Sequence, residues 1–432
     1  MEWRSPSAPC RPRNDKKGEQ VLENLEIRGF KSIRQAKLQN LPRLSVFFGP
    51  NAAGKSNLLD AVQALSRIGT ARTIAEALQD PIRGYPIESF SFPQGGLPAL
   101  LSMAQPEFRL GARLRIEKER FEYRVTVRID PQSGSLSVAD EYLAVLTSTG
   151  AVKGNALIEH QEGQLRIRRK SKPAHPRQEP VGLNHTLLSD PRLSGVEYKG
   201  VERCRRELQR WRTYYLDPRV SMRRAATPAE VEDIGVLGED VAPFLYRLRA
   251  EKEKQFHAVV RTLRTLVPSV EDVSVDLDKR RGTLDIVIRQ DGIEYSSRIV
   301  SEGTLRLLAL CALAVNPWAG SLLAFEEPEN GVHPRRLELI AELLAGLALE
   351  QGRQVLVTSH SPLFCSAILR LQQKHPGDIG LFRVRQSAGG TEISRFETPG
   401  SLYENADILA ALSEPTEESI LEGLLLRGFG DA

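Results

Sequence analysis

The chain has 432 residues, 41% of them hydrophobic and 26% charged, with a net charge of +4. That balance belongs to one large or two to three ordinary globular domains with a sizeable core, and the net charge is too small to single out a partner. No apolar run reaches the roughly 20 residues of a membrane span, and Cys10, Cys204, Cys311 and Cys365 lack the spacing of a disulfide framework or a metal site, which suits a reducing cytoplasm.

The first 20 residues mix Arg, Pro, Lys and Asp without an apolar stretch, the composition of a disordered tail and not of a signal peptide. VLENLEIRGF alternates like a strand from Val21 to Arg28, and RLSVFF (Arg43 to Phe48) reads as a short buried strand ending at Gly49. Leu58, Leu59, Val62, Leu65 and Ile68 then recur at helical spacing. From Glu107 to Leu146 three alternating runs separated by turn signals predict an antiparallel meander. HQEGQLRIRRKSKPAHPRQEP reads as one strand followed by a Pro-rich basic loop, GVERCRRELQRW as a helix and TYYLDPR as a short strand.

Between Lys153 and Ala225 there are 17 Lys and Arg against 8 Asp and Glu, a local surplus that suits a phosphate backbone or an acidic partner, or else a solvated surface. Glu239 to Val267 predicts one long amphipathic helix, broken near Pro243, without the heptads of a coiled coil. TLDIVIRQDGIEYSSRIV is a hairpin turning at Asp291-Gly292. From Gly303 to Val384 helices and strands alternate, the pattern of a parallel α/β sheet.

Four motifs carry chemistry. Gly49-x-x-x-x-Gly54-Lys55-Ser56 is the P-loop pattern, placed between a strand and a helix. Its glycines allow close backbone approach, its N–H groups and the helix N-terminus face phosphates, Lys55 supplies charge, and Ser56 is a hard oxygen ligand for Mg²⁺. SLLAFEEPENGVHP places Glu326 and Glu327 at a strand tip, one carboxylate to hold the metal and the next to polarise an attacking water, or else a pair that caps a helix. VLVTSHSP ends a strand at His360, either a group to reach a γ-phosphate or simply a structural histidine, a choice that depends on the other motifs. Ser301 and Gly303 open a helix whose N-terminus is a second anion site, or simply a capped end.

In this order the four motifs resemble the ABC-type ATPase heads of the SMC/RecF group, with the closest likeness to the RecF-like and OLD-like predicted AAA-family ATPases. LEIRGFKSI and GPNAAGKSN look like that group's opening, SEGTLRLLAL like its signature, FEEPENGVHP like Walker B running into the D-loop, and TSHSP like the H-loop. The resemblance implies an α/β P-loop NTPase of the ABC head type, two-lobed, with the meander and a helical insertion lying between Walker A and signature. It implies ATP and Mg²⁺ held by Gly49, Asn51, Gly54, Lys55, Ser56 and Asn57, the metal at Ser56 and Glu326, and catalysis by Glu327, His360 and Lys55. Ser301, Glu302 and Gly303 would contact ATP on a second subunit, in a head-to-tail homodimer, and Pro328, Glu329 and Asn330 fall in the D-loop.

The corresponding division is a tail at 1–20, lobe I at 21–216, the helical insertion at 217–268, lobe II at 269–400 and a C-terminal tail at 401–432. Ala52 stands where a Gly is common in the group, Glu326 where an Asp is common, and no convincing Q-loop is found, the meander and the vicinity of Asp217 being the candidates. No long coiled coil is inserted, and no acidic metal cluster follows His360, so a nuclease or effector would be a separate chain. The expected function is ATP hydrolysis coupled to DNA or a DNA-directed partner, in repair or phage defence, with no membrane involved. The alternatives are a nucleotide-gated dimerising scaffold with negligible turnover and, less favoured, a transporter ATPase.

Overall fold

The computed structural model describes residues 21–396. The tails expected at 1–20 and 401–432, with Cys10 in the first, lie outside the described residues. The chain opens with β1 (Leu22–Phe30), β2 (Ile33–Leu38) and β3 (Leu44–Phe48), then α1 (Lys55–Ile68). Two short helices, α2 (Ile74–Ala77) and α3 (Gly96–Leu101), precede the meander of β4 (Glu107–Ile116), β5 (Glu119–Ile129) and β6 (Leu136–Leu146). Next come β7 (Ile158–Gln161), β8 (Gln164–Ile167), β9 (Arg177–Pro180), α4 (Lys199–Leu208) and β10 (Trp211–Tyr214). The helices α5 (Val241–Glu251) and α6 (Glu253–Leu266) are followed by β11 (Val270–Asp278), β12 (Thr283–Gln290) and β13 (Ile293–Ser296). The alternating segment is α7 (Glu302–Val315), β14 (Leu322–Glu326), α8 (Leu337–Leu349), β15 (Gln354–Ser359), α9 (Pro362–Lys374), β16 (Ile379–Ser387) and β17 (Gly390–Phe396).

Two large sheets organise these elements. β2-β1-β4-β5-β6-β7-β8-β9 form an antiparallel sheet, and β10-β14-β15-β3-β16-β17 form a sheet that is parallel except for the edge strand β17. A small sheet, β11-β12-β13, packs with α5 and α6. The parallel strands read as continuous apolar runs because both of their faces are covered. Leu44, Val46 and Phe48 of β3 enter the core shared with α5 to α9, while Phe47 enters the core under the antiparallel sheet with α1 and α4. β14 and β15 divide the same way, with Leu323, Phe325, Val355 and Val357 on one side and Leu322, Ala324 and Leu356 on the other. The α/β architecture, the meander and the helices between the Gly49 loop and Ser301 are thus those expected.

Two local readings change. The helix expected from Glu239 to Val267 is two helices that break at Lys252 (φ −141°, ψ 57°) and not at Pro243. Pro243 lies in the first turn of α5, where its missing N–H removes no helical bond. The strand expected before the basic loop is a hairpin, because Glu162 and Gly163 both take positive φ (54° and 75°), a tight turn that joins β7 to β8. Among the described residues no helix is long and apolar enough to cross a membrane.

Candidate active site

Strands of a parallel sheet all end on one edge, so whatever follows β3, β14 and β15 is brought together there. Phe48 pairs with Ser359 and Glu326 with Thr358, so the 49–54 loop, the Glu326–Glu327 tip and His360 emerge side by side. The loop needs its glycines for close approach. A Cβ on Gly49 would meet the Val384 carbonyl oxygen at 2.1 Å, and one on Gly54, at φ 97°, would meet Thr391 Oγ1 at 2.1 Å. Ala52, where the resemblance leads one to expect Gly, is itself held at φ 63°, a left-handed backbone that costs an alanine free energy. Asn51 is exposed at the tip, Ser56 is half-buried in the first turn of α1, and Asn57 donates to Ser32 Oγ at 2.6 Å.

Lys55 is buried, its ammonium donating to the carbonyls of Gly49 and Pro50 (2.9 Å each) and lying 3.8 Å from Glu327 Oε1. Burial lowers its pKa, and the carboxylates of Glu327, Glu329 and Glu326 act against that. Glu327 is the strained residue of the group. Its φ of 44° lets its N–H bond to the Thr358 carbonyl (3.0 Å) while its carboxylate turns toward His360, whose Nδ1 lies 2.9 Å from Oε1. Asn330 donates to the other oxygen at 3.0 Å. One carboxylate is therefore aimed by a lysine, a histidine and an amide, with His360 itself exposed at the mouth.

Sequence reasoning missed the ring of charge behind this group. Asp60 is fully buried on α1 and accepts from Lys31 Nζ (2.5 Å), Arg83 Nη2 (2.8 Å) and the Tyr215 hydroxyl (2.8 Å). Arg83 in turn reaches Glu326, Nη1 lying 3.7 Å from Oε1. The available signal was an aspartate inside the apolar stretch NLLDAVQAL, since a buried acid must find partners. Glu329 is the second surprise. Ser359 Oγ donates to its Oε1 at 2.5 Å, its Oε2 has no partner, and burial raises its pKa.

The donor set fits Mg²⁺. Ser56 offers a hydroxyl and Glu326 a carboxylate, hard oxygens of the kind that hold this ion with phosphates and water completing its shell. No group of three or more His, Cys, Asp or Glu among the described residues is arranged to cage a metal alone. Beside the loop, a cavity of about 560 Å³ is lined by Lys31, Ser32, Arg34, Asn57 and the exposed Phe92 among others, with Phe90 in its wall buried against Phe108.

Ser301 to Gly303 are not bonded to this group; they attach to it through the 328–331 loop. Ser301 caps α7, its Oγ accepting from Thr304 N–H at 3.2 Å, and a Cβ on Gly303 would lie 2.6 Å from the Gly331 carbonyl oxygen. The segment after β10 straps the same place. Asp217 accepts the N–H groups of Arg219, Val220 and Ser221, Arg219 Nε donates to Glu302 at 2.8 Å, and Arg223 Nη2 donates to the Val300 carbonyl at 2.7 Å. Because β10 neighbours β14, the Tyr215–Asp217 stretch leaves the sheet next to Glu326 and runs to the signature segment.

This fold and the motifs on its sheet edge define an ABC-type ATPase head of the SMC/RecF group. The chain belongs to the family described as "AAA domain, putative AbiEii toxin, Type IV TA system", which it matches over residues 44–366. It is also similar to the DNA replication and repair protein RecF of Lactobacillus johnsonii, 32% identical over 93 residues, 22% of this chain and 23% of that one. The RecF of Phocaeicola vulgatus is 44% identical over 46 residues, 11% of this chain and 12% of that one. The match thus spans less than a quarter of these relatives. Among solved structures, the SMC head domain from Thermotoga maritima aligns at 14% identity and TM-score 0.40, covering 88% of this chain and all of that one. The Pyrococcus furiosus Smc head with an extended coiled coil, bound to the C-terminal domain of ScpA, aligns at 12% identity and TM-score 0.44, covering 91% of this chain and all of that one.

Proposed function

We propose that the chain binds ATP with Mg²⁺ at the 49–57 loop and hydrolyses it. The observation that carries this reading is the Glu327 carboxylate, strained at φ 44° and set 2.9 Å from His360 and 3.8 Å from Lys55. Gly49, Asn51, Gly54, Ser56 and Asn57 would surround the phosphates, and the Lys55 ammonium would exchange the Gly49 and Pro50 carbonyls for β- and γ-phosphate oxygens. Bound Mg²⁺, held by Ser56 and Glu326, would neutralise charge developing on the phosphates. Glu327 would orient a water and accept its proton, and His360, at the open side, would donate to the γ-phosphate.

One protomer leaves the signature residues without a nucleotide. Val220, Ile299 and Leu363 are exposed apolar side chains close in sequence to Arg219, Ser301 and His360, which supports an ATP-dependent homodimer in which Ser301, Glu302 and Gly303 cover the partner's nucleotide. Steady-state phosphate release tests the core of this reading. Turnover abolished by Lys55→Ala supports it, and turnover indifferent to that change rules it out.

The proposed target is DNA or a DNA-directed partner, in repair or phage defence, with any nuclease or effector carried by a separate chain. The names of the RecF relatives support it. The basic region supports it only in part, since Arg166, Arg168, Arg177, Arg192, Arg203, Arg206, Arg212 and Arg219 are paired with carboxylates. Among the described residues Arg169, Lys170 and Lys172, after β8, make no ion pair, though Arg169 and Lys170 interact electrostatically with the Glu197 carboxylate, and these three are the residues we assign to phosphate contact. Buried, unbridged thiols at Cys204, Cys311 and Cys365 are in keeping with a cytoplasmic location.

A further inference from the structure

The outer face of the antiparallel sheet carries a second polar pocket, which shares no residue with the site above. In RLRIEKER, Leu114 and Ile116 point into the core, so Arg113 and Arg115 point out, and the turn brings Arg120 directly opposite Arg115. Like charges placed opposite each other destabilise a sheet unless something lies between them. Here one carboxylate does. Glu23 Oε1 accepts from Arg115 Nε (2.8 Å) and Nη2 (2.6 Å) and from Arg120 Nε (3.0 Å).

That carboxylate does not balance the pocket. Arg113 sits beside it, across from Asn24 on one strand and Glu122 on the other. Its Nε is buried without a hydrogen-bond partner, and its Nη2 is 3.9 Å from Glu122, which is shared with Arg124 at 3.5 Å. In the pocket itself three guanidinium groups, of Arg113, Arg115 and Arg120, thus face the single carboxylate of Glu23. Asn24, Asn40 and the 148–150 turn close a space of about 260 Å³ over them. Gly150, at φ 87°, lets that turn approach, since a Cβ there would come 3.3 Å from Arg113 Nη1.

We propose that this pocket binds a phosphoryl group. The surplus of two positive charges matches a dianion. Guanidinium groups from two strands and several directions suit a tetrahedral oxyanion, whereas a planar carboxylate is satisfied by one arginine fork. Glu23 holds Arg115 and Arg120 in place before the ligand arrives, so little side-chain freedom remains to be lost. The phosphoryl group belongs either to a nucleic-acid backbone or to a small phosphate compound.

The test uses the full chain carrying Lys55→Ala, so that the 49–56 loop does not compete. Calorimetric titration with inorganic phosphate, against acetate at matched ionic strength, is expected to show binding by phosphate that Arg113→Gln weakens about tenfold. Arg113→Lys should recover only part of it. Equal melting curves for the parent and Arg113→Gln show that folding is not the cause. Phosphate binding no tighter than acetate, or unchanged by Arg113→Gln, overturns the proposal. A fluorescent duplex read by anisotropy then identifies the source. If Arg113→Gln weakens duplex binding and lowers its salt slope by about one, the ligand is the backbone. If duplex binding is unaffected while phosphate binding is lost, it is a small compound.

Discussion

Two regions of this chain bury carboxylates in opposite ways. Under the antiparallel sheet, Glu141 is fully buried and accepts from the N–H groups of Leu187 (2.6 Å) and Leu188 (2.9 Å) and from the Tyr123 hydroxyl (3.4 Å). At the edge of the parallel sheet, Glu329 is nearly as buried but keeps an oxygen without a partner, the Nε of Arg306, which interacts electrostatically with it, is likewise unsatisfied, and Glu327 is strained. Closed polar networks build stability, and open ones keep capacity for a ligand. The first region behaves as scaffold and the second as a site.

The sharpest break in that contrast would come from Glu327→Gln. Turnover should fall by about 10²–10⁴, the range of a lost general base, with the melting temperature held, as measured by phosphate release and circular dichroism. A stability loss instead would make Glu327 scaffold. Asp60→Ala should do the reverse, destabilising by about 3–5 kcal/mol in urea titration, because it strands Lys31 and Arg83 around a buried vacancy. Activity loss without that destabilisation would move Asp60 to the site.

Glu141 sharpens the comparison through pH. Burial raises its pKa from 4.5 to about 7, against the opposing bonds of Leu188, Leu187 and Tyr123. The unfolded carboxyl releases its proton near 4.5 and the folded one near 7, so its contribution is complete below pH 4.5 and is lost as pH rises to 7. The loss is of order 3 kcal/mol. Glu141→Gln should flatten the stability profile over that window, read from denaturant midpoints at pH 5, 6 and 7. The smallest effect is expected for Gly303→Ala, about 1–3 kcal/mol of strain against the Gly331 carbonyl, with a larger proportional loss of turnover than of stability.

Much of the site was legible because its residues must be particular types at particular spacings. The Gly49–Ser56 loop, Glu326, Glu327, Ser301 and His360 announce themselves, and the apolar runs of β3, β14 and β15 announce the sheet that gathers them. The Asp60, Lys31, Arg83 and Tyr215 cluster was not legible, because its members come from four separate segments and no local period links them. Nor were the distant pairs of the basic region, Arg203 with Glu119, Arg212 with Asp233 and Arg219 with Glu302, since cross-strand and cross-loop partners depend on the fold. The break at Lys252 carries no Gly or Pro, and Pro243, which looked like the breaker, occupies a permissive first turn. β17, with the sequence GTEISRF, lacks the clean alternation that marks a strand, whereas β11 carries it in VSVDLD and was legible.

β3 has one further consequence, which concerns time and not geometry. Its neighbours are β15 and β16, with Val46 paired to Val357 and Leu381. More than 300 residues must leave the ribosome before that strand can be enclosed. Until then Leu44, Val46, Phe47 and Phe48 form a short apolar segment without its sheet partners, the kind of sequence that chaperones hold and that aggregates when synthesis stalls. The strand that delivers the phosphate loop is thus made early and completed late, and substitutions there should lower the yield of folded protein before they alter anything measurable in the finished molecule.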